Sequence, residues 1–145
     1  EETQTWVDIG SGGGFPGLVC AIMAKVDAPN IKFHLVESDL RKATFLRNTA
    51  REVDVQVVVH SERIEKMNSL QSDIISARAL ASLDKLLEFS TLHLNKSGVA
   101  LFPKGASYHE EIENAKRHWE FDCKKYQSKT DPNSVILKIG NITRV

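Results

Sequence analysis

Short apolar runs alternate with amphipathic stretches along most of the chain. The apolar runs at 6–9, 31–36, 55–60, 72–77 and 98–102 predict buried β-strands. Between them, the spacing of apolar positions predicts helices over about 15–26, 40–53, 83–93 and 107–119, the last with Trp119 on its inward side. This alternation of strands and helices is typical of an α/β fold with a largely parallel sheet.

The end of the chain has a different pattern. Two extended segments, 121–129 and 134–142, are joined by Thr130-Asp131-Pro132-Asn133, whose composition is typical of a tight turn. They predict an antiparallel hairpin at the edge of the sheet. A dinucleotide-binding fold would instead repeat its mononucleotide half and end on a parallel strand.

The first predicted strand ends in a glycine-rich stretch, Asp8-Ile9-Gly10-Ser11-Gly12-Gly13-Gly14-Phe15-Pro16-Gly17. Glycines allow the positive φ angles of a tight turn, and they leave backbone N–H groups open to a ligand. The start of the helix that follows adds further donors and a partial positive charge. The stretch therefore predicts a site for a nucleotide-like ligand.

Two classes of site match this stretch. Gly12, Gly14 and Gly17 have the spacing of a dinucleotide-binding loop, and Glu37 lies 20 positions after Gly17, where a ribose-binding acid is expected. Asp8 also stands two residues before a Gly-x-Gly-x-Gly run, which resembles motif I of the class I S-adenosylmethionine-dependent methyltransferases. A carboxylate there suits a ligand with a sulfonium and an ammonium group and repels a pyrophosphate, so the charge favours the methyl donor. For Glu37 the alternative is a solvated helix-cap acid.

Composition narrows the classes of function. A chain of 145 residues suits one domain, and its 19 basic and 19 acidic residues give a net charge of zero, so overall charge does not indicate a nucleic-acid binder. Cys20 and Cys123 fit neither a disulfide framework nor a metal set, and the five histidines lack metal-ligand spacing, so no metal is expected. No apolar run reaches the length of a membrane span, and a cytoplasmic location is expected.

Four short motifs together resemble one family. They are Gly14-Phe15-Pro16-Gly17, Arg63-Ile64-Glu65, Ser76-Ala77-Arg78-Ala79 and Pro103-Lys104-Gly105. In this order and spacing they are similar to the bacterial 16S rRNA (guanine-N7) methyltransferases, the RsmG or glucose-inhibited division protein B (GidB) family. The resemblance implies a Rossmann-like class I methyltransferase fold: α/β, with a mostly parallel central sheet, helices on both faces and an antiparallel C-terminal strand pair. It also implies S-adenosyl-L-methionine as the cofactor and a guanine N7 of 16S rRNA, in the small ribosomal subunit, as the methyl acceptor.

The resemblance also implies roles for individual residues. Gly10 and Phe15 correspond to family positions that contact the methyl donor, Ile64 and Glu65 to the pair near its adenine, and Arg78 to the arginine that ends the fourth strand. Several of these residues follow predicted strands, at the edge where open α/β sheets bind ligands. The predicted cofactor site consists of Asp8, Gly10, Gly12, Gly14, Phe15, Glu37, Ile64, Glu65 and Arg78.

Methylation of guanine N7 needs no general base, because the N7 lone pair can attack the methyl group directly. Arg78 is therefore predicted to position the donor or the base edge, since an arginine does not lose its proton. Lys104 is predicted to contact a phosphate or guanine O6, the alternative being an ordinary exposed loop lysine. Arg41, Lys42 and Arg47 are further candidates for RNA contacts, unless they form a solvated helix face.

Two other functions stay open on the sequence: a small-molecule methyltransferase of the same fold, and a non-catalytic domain that binds nucleotide or RNA. Family members usually carry a helical segment before the first strand, whereas only Glu1 to Thr5 precede it here. The expectation is a single methyltransferase domain over residues 1–145 that lacks this N-terminal segment. We also expect a monomer that contacts rRNA and no membrane.

Overall fold

The computed structural model describes residues 2–78 and 80–145; Glu1 and Ala79, the latter ending the Ser76–Ala79 motif, lie outside the described residues. The strands are β1 (Gln4–Ile9), β2 (Ile31–Val36), β3 (Val57–His60), β4 (Ser72–Ala77), β5 (Leu94–Lys104), β6 (Trp119–Gln127) and β7 (Val135–Arg144). The helices are α1 (Gly17–Asp27), α2 (Leu40–Glu52), α3 (Leu83–His93) and α4 (Tyr108–Ala115), and a short 3-10 turn spans Ile64–Lys66.

The strands form one seven-stranded sheet in the order β3-β2-β1-β4-β5-β7-β6. β1 to β5 are parallel to one another, and β7 runs antiparallel to both β5 and β6. The chain crosses from β3 at one edge to β4 on the other side of β1, so the carboxyl end of β1 lies at the switch point where such sheets bind ligands. The predicted sheet, mostly parallel with an antiparallel C-terminal pair, is confirmed.

Helices cover both faces of this sheet. Leu83 and Leu87 of α3 pack with Val36 in the main core, whereas Leu18 of α1 packs with Leu35 in a smaller cluster. Leu35 and Val36 are consecutive in β2, and consecutive side chains of a strand point to opposite faces. Burial of an aliphatic side chain of this size contributes roughly 1.5–3 kcal/mol, so both layers hold the sheet that carries the site.

Two boundaries near the C-terminus differ from the prediction. β5 begins at Leu94, directly after α3, and α4 ends at Ala115 instead of extending to Trp119. Trp119 opens β6, where its side chain is buried and its Nε1–H donates to Asp84 Oδ1 at 3.1 Å. Trp119 would be buried as the last residue of a helix and also as the first residue of a strand, so the apolar pattern does not distinguish the two. Its hydrogen bond to Asp84 of α3 accompanies the strand conformation.

Candidate functional site

The glycine-rich stretch forms a tight loop between β1 and α1. The Gly14 N–H donates to Ser11 O at 2.7 Å, and Gly12 has a φ of 45°, in the left-handed region that residues with a Cβ rarely adopt. A Cβ built on Gly12 would have Gly10 O at 3.6 Å and Glu37 Oε1 at 3.9 Å as its neighbours within 4 Å. The space beside Gly12 is therefore open to a ligand.

Asp8 lies beneath this loop. Its side chain is fully buried, and its carboxylate accepts hydrogen bonds from Ser11 Oγ (2.8 Å), the Gly17 N–H (3.1 Å) and Ser76 Oγ (2.7 Å). Burial raises the pKa of Asp8 to about 6, although the three hydrogen bonds act in the opposite direction. Asp8 thus ties the loop to β4 and to the start of α1, and its contact with the donor stays a prediction.

Glu37 directly follows β2 and faces the glycine loop. It is buried, its Oε1 accepts from the Gly12 N–H at 2.8 Å, and its Oε2 accepts from the Asp39 N–H at 2.9 Å. Each carboxylate oxygen keeps a second lone pair, so Glu37 can still accept hydrogen bonds from a ligand beside Gly12. The capping of α2 belongs to Asp39, whose Oδ1 accepts from the Arg41 and Lys42 N–H groups.

A surface basin of about 500 Å³ opens at Ser38, the residue after Glu37, where the carboxyl ends of β2 and β3 lie. Its lining consists of Ser38, Asp39, Ser61, Glu62, Arg63 and Lys66. A larger groove of about 1060 Å³ runs between α1, α2 and β3 and reaches Asn30 and Ile31 at the amino end of β2. Because open α/β sheets bind ligands at the carboxyl ends of their strands, the smaller basin is the better candidate for the site.

The Ile64–Lys66 turn continues from this basin and is anchored to the core by His93. The His93 ring is buried, its Nδ1 accepts from the Leu70 N–H at 3.4 Å, and its Nε2 lies 2.9 Å from Ile64 O. Since Nδ1 accepts, Nε2 carries the proton and donates to the Ile64 carbonyl. Ile64 is therefore buried and fixed, whereas Glu65 is exposed beside the basin.

The loop after β4 lies at the same edge of the sheet. Arg78 directly follows β4 and is exposed. Leu80 reaches the glycine loop, since a Cβ on Gly10 would lie 2.8 Å from Leu80 Cδ1. Phe15 is 58% exposed and Leu80 is 43% exposed, so two large apolar side chains near this loop are open to a ligand.

Lys104, the last residue of β5, is paired and largely buried. Its ammonium forms an ion pair with Glu111 Oε1 at 3.0 Å and donates to Ala81 O at 3.2 Å, and its side chain is only 8% exposed. The alternative of an ordinary exposed loop lysine is therefore wrong. A contact of Lys104 with a phosphate or guanine O6 stays a prediction.

The candidate RNA-contacting residues of α2 separate into two groups. Arg41 and Lys42 are exposed in the first turn, next to the basin. Arg47 is directed to the sheet edge, where its guanidinium donates to Val59 O and to Ser61 Oγ, both at 3.0 Å. Arg47 therefore satisfies an edge carbonyl of β3, whereas Arg41 and Lys42 keep the placement expected of an RNA contact.

Two classes of feature are absent from the part of the chain that the structure describes. Among residues 2–78 and 80–145, no three histidine, cysteine, aspartate or glutamate side chains are grouped as a metal ion would require. Within the same residues, no helix has the length and hydrophobicity needed to cross a membrane.

Comparison with known proteins gives the family. Residues 1–135 match the GidB family, described as rRNA small subunit methyltransferase G. A protein named ribosomal RNA small subunit methyltransferase G from Ruegeria sp. (strain TM1040) is 51% identical over 144 residues, which cover 99% of this chain and 70% of that protein. The chain belongs to the GidB family. A relative of the same name from Cereibacter sphaeroides is 48% identical over 141 residues, covering 97% of this chain and 68% of that protein. The resemblance carried by the four motifs is thereby confirmed.

Solved structures of low sequence identity share the fold of this GidB-family chain. The ribosomal protein L11 methylase from Lactobacillus delbrueckii subsp. bulgaricus superposes with a TM-score of 0.73 at 20% identity, covering 96% of this chain and 70% of that one. A SAM-dependent methyltransferase from Aquifex aeolicus superposes with a TM-score of 0.72 at 12% identity, covering 96% of this chain and 82% of that one. PKMT2 from Rickettsia typhi in complex with AdoHcy superposes with a TM-score of 0.60 at 21% identity, covering 72% of this chain and 21% of that one. The predicted Rossmann-like class I methyltransferase fold is confirmed.

The site of this GidB-family chain also uses residues that the motifs did not single out as functional. Ser76 Oγ donates to Asp8 and accepts from Trp6 Nε1–H at 2.8 Å. Asp8 and Ser76 are register partners in the adjacent strands β1 and β4, so only the strand pairing brings them together. His93 and Glu111 likewise reach the site from separate helices, and no local sequence signal identifies them.

Proposed function

We propose that this protein transfers a methyl group from S-adenosyl-L-methionine to N7 of a guanine in 16S rRNA. The observation that carries the proposal is the placement of the Glu37 carboxylate against the Gly12 N–H, at the switch point of a methyltransferase sheet in a GidB-family chain. The relatives named above are rRNA small subunit methyltransferases, which supports ribosomal RNA as the substrate class.

The described residues fit this cofactor. The open space beside Gly12 leaves room for a ribose, and Glu37 would hold its two hydroxyl groups through the remaining lone pairs. Hydrogen bonds to a charged group of this kind contribute about 1.5–3 kcal/mol. Arg63 and Lys66, which flank Ile64 and Glu65 in the chain, line the basin, and this turn would hold the adenine. When bound, this cofactor supplies a sulfonium methyl group, an electrophile that a ring nitrogen can attack.

The residues around the loop have to position the acceptor and exclude water. Guanine N7 carries an in-plane lone pair, so no side chain has to remove a proton before the methyl group moves. Correct orientation of the two reactants can by itself lower the barrier by about 7–11 kcal/mol. Arg78, exposed at the end of β4, is the positioning residue for the base or the donor, and Phe15 and Leu80 would shield the reacting atoms.

Recognition of the RNA needs a local basic surface, because the net charge of the chain is zero. Arg41 and Lys42 on α2, and Arg63 and Lys66 near the 3-10 turn, are exposed around the basin. These four side chains would contact phosphates, while the target base enters the site from an unpaired region of the RNA. A monomeric state and a cytoplasmic location stay predictions.

The test is methyl transfer by the purified protein to small ribosomal subunits and to naked 16S rRNA, both from cells that lack the modification. Mass spectrometry of the digested RNA should find 7-methylguanine at one position. Calorimetry should show binding of S-adenosylhomocysteine and none of NADH. Donor binding without transfer to either RNA would refute the proposal in favour of a non-catalytic domain, and transfer to a metabolite alone would favour a small-molecule methyltransferase.

A further inference from the structure

Glu111 joins three elements that meet beside the site. It lies on α4, and its Oε1 accepts both from Lys104 Nζ of β5 at 3.0 Å and from the Leu83 N–H at the start of α3 at 3.1 Å. Lys104 Nζ in turn donates to Ala81 O at 3.2 Å. One carboxylate oxygen and one ammonium therefore hold two backbone groups, Ala81 O and the Leu83 N–H, on either side of Ser82.

These two backbone groups mark the end of the loop that covers the glycine stretch. The loop starts at Arg78, immediately after β4, and α3 starts at Leu83. Between them, Leu80 reaches the position where a Cβ on Gly10 would stand, 2.8 Å from its Cδ1. Ser82 caps α3 and the Leu83 side chain is fully buried, and the Glu111–Lys104 pair adds the polar contacts that fix the backbone on either side of Ser82, next to Leu80 and Gly10.

The pair is suited to hold a backbone segment rigidly. The Lys104 side chain is 8% exposed and that of Glu111 is 25% exposed, so water competes poorly for either group. A carboxylate near the first turn of α3 also interacts favourably with the partial positive charge of the helix N-terminus. Other acidic residues of α4 lack this placement: Glu113 forms an ion pair with Lys116 at 3.5 Å, with both side chains mostly exposed.

We propose that Glu111 is a positioning residue of the methyl-transfer site, which acts through Lys104 to hold residues 80–82 over Gly10. This inference rests on the proposed function, because the loop carries the arginine that would orient the reactants. Loss of the pair should release the loop while leaving the glycine stretch and Glu37 intact. The rate of methyl transfer should therefore decrease much more than the affinity for the donor.

The experiment compares Glu111→Ala, Lys104→Met and the double variant with the matched control Glu113→Ala, which removes the same charge from the same helix. Hydrogen exchange of the Leu83 amide and of the preceding loop reports the release directly and needs no substrate. Calorimetry with S-adenosylhomocysteine gives the donor affinity, and methyl transfer to small subunits gives kcat and KM. The double variant carries no unpaired buried charge, so it keeps the test valid if a single variant does not fold.

In Glu111→Ala and in the double variant, the Leu83 amide should exchange at least about tenfold faster than in the wild type. Their kcat should fall by about 10- to 100-fold, because small displacements of positioning groups have effects of this size, while the donor Kd changes by less than about threefold. The effects of the two substitutions should be strongly non-additive, since both break one network. Glu113→Ala should match the wild type in all three measurements.

Unchanged exchange at Leu83, a kcat like that of the control, or a double variant with the wild-type kcat would overturn the inference. An increase in the donor Kd as large as the decrease in kcat would also overturn it, because the pair would then shape the donor site as a whole. If the wild-type protein itself transfers no methyl group to subunits, the proposed function fails, and the exchange and calorimetry results still decide whether Glu111 holds the loop.

Discussion

Asp8 should give this protein a distinctive dependence of stability on pH. Its carboxylate is fully buried, and desolvation raises its pKa from an ordinary 3.8 to about 6 in the folded chain. The folded state therefore binds the Asp8 proton more tightly than the unfolded state does. The stability that this proton contributes is fully present below the unfolded pKa, and it is lost as the pH rises through the folded pKa.

The size of the effect follows from the two pKa values. One pKa unit corresponds to 1.36 kcal/mol, so a rise of about two units corresponds to about 3 kcal/mol in the free energy of unfolding. Other carboxylates also titrate in this pH range. Their contribution to the free energy of unfolding cancels when the wild type is compared with Asp8→Asn. The asparagine side chain is neutral at every pH and keeps donors and acceptors for Ser11, Gly17 and Ser76.

The assay is urea unfolding of the wild type and Asp8→Asn at several pH values from 3 to 8. The stability of the wild type relative to the variant should decline by about 3 kcal/mol between about pH 4 and pH 6, and it should be constant above about pH 7. Parallel curves for the two proteins over the whole range would refute the reasoning, because they would show that Asp8 titrates alike in the folded and unfolded chains.

Three further predictions concern single sites. Glu37→Ala should weaken binding of S-adenosylhomocysteine by about 10- to 100-fold in calorimetry, and an unchanged Kd would remove Glu37 from the donor site. Gly17→Ala should lower the free energy of unfolding by about 1–3 kcal/mol in urea titration, since its Cβ would lie 2.7 Å from the Cβ and Cγ atoms of Asp8; a fully stable variant would contradict this packing. Asp131 is exposed, and its pKa is lowered chiefly by the hydrogen bond from the Asn133 N–H. Its effect on stability should therefore depend on pH in the opposite direction to that of Asp8. Relative to Asp131→Asn, the wild type should lose stability in urea titration as the pH falls below 3.8. A constant difference in stability between the two proteins would contradict this prediction.

Local sequence patterns were sufficient for most of the secondary structure. The predicted bounds of β2, β4 and α3 agree with the structure, because apolar runs and helical spacing there are bordered by polar residues and turn formers. The short α4 arose where one apolar residue satisfies two kinds of element, whereas the long β5 includes Asn95, Lys96 and Ser97, polar residues that no apolar run assigns to a strand. Trp119 is the clear case, since it is buried in either interpretation and its contact with Asp84 exists only in the folded chain.

The sequence by itself determined the motif that makes the donor loop, the strand and helix order, and the family. These are local properties: glycines that adopt positive φ angles, an acid at the end of β2, and short motifs at set spacing. Only the tertiary structure decided what the charged residues do. Asp8 turns inward to Ser76 because β1 and β4 are adjacent, and Lys104 is paired because α4 brings Glu111 to the end of β5. The energy of a charge depends on its burial and on partners distant in sequence, so its role follows from the fold and not from its position in the chain.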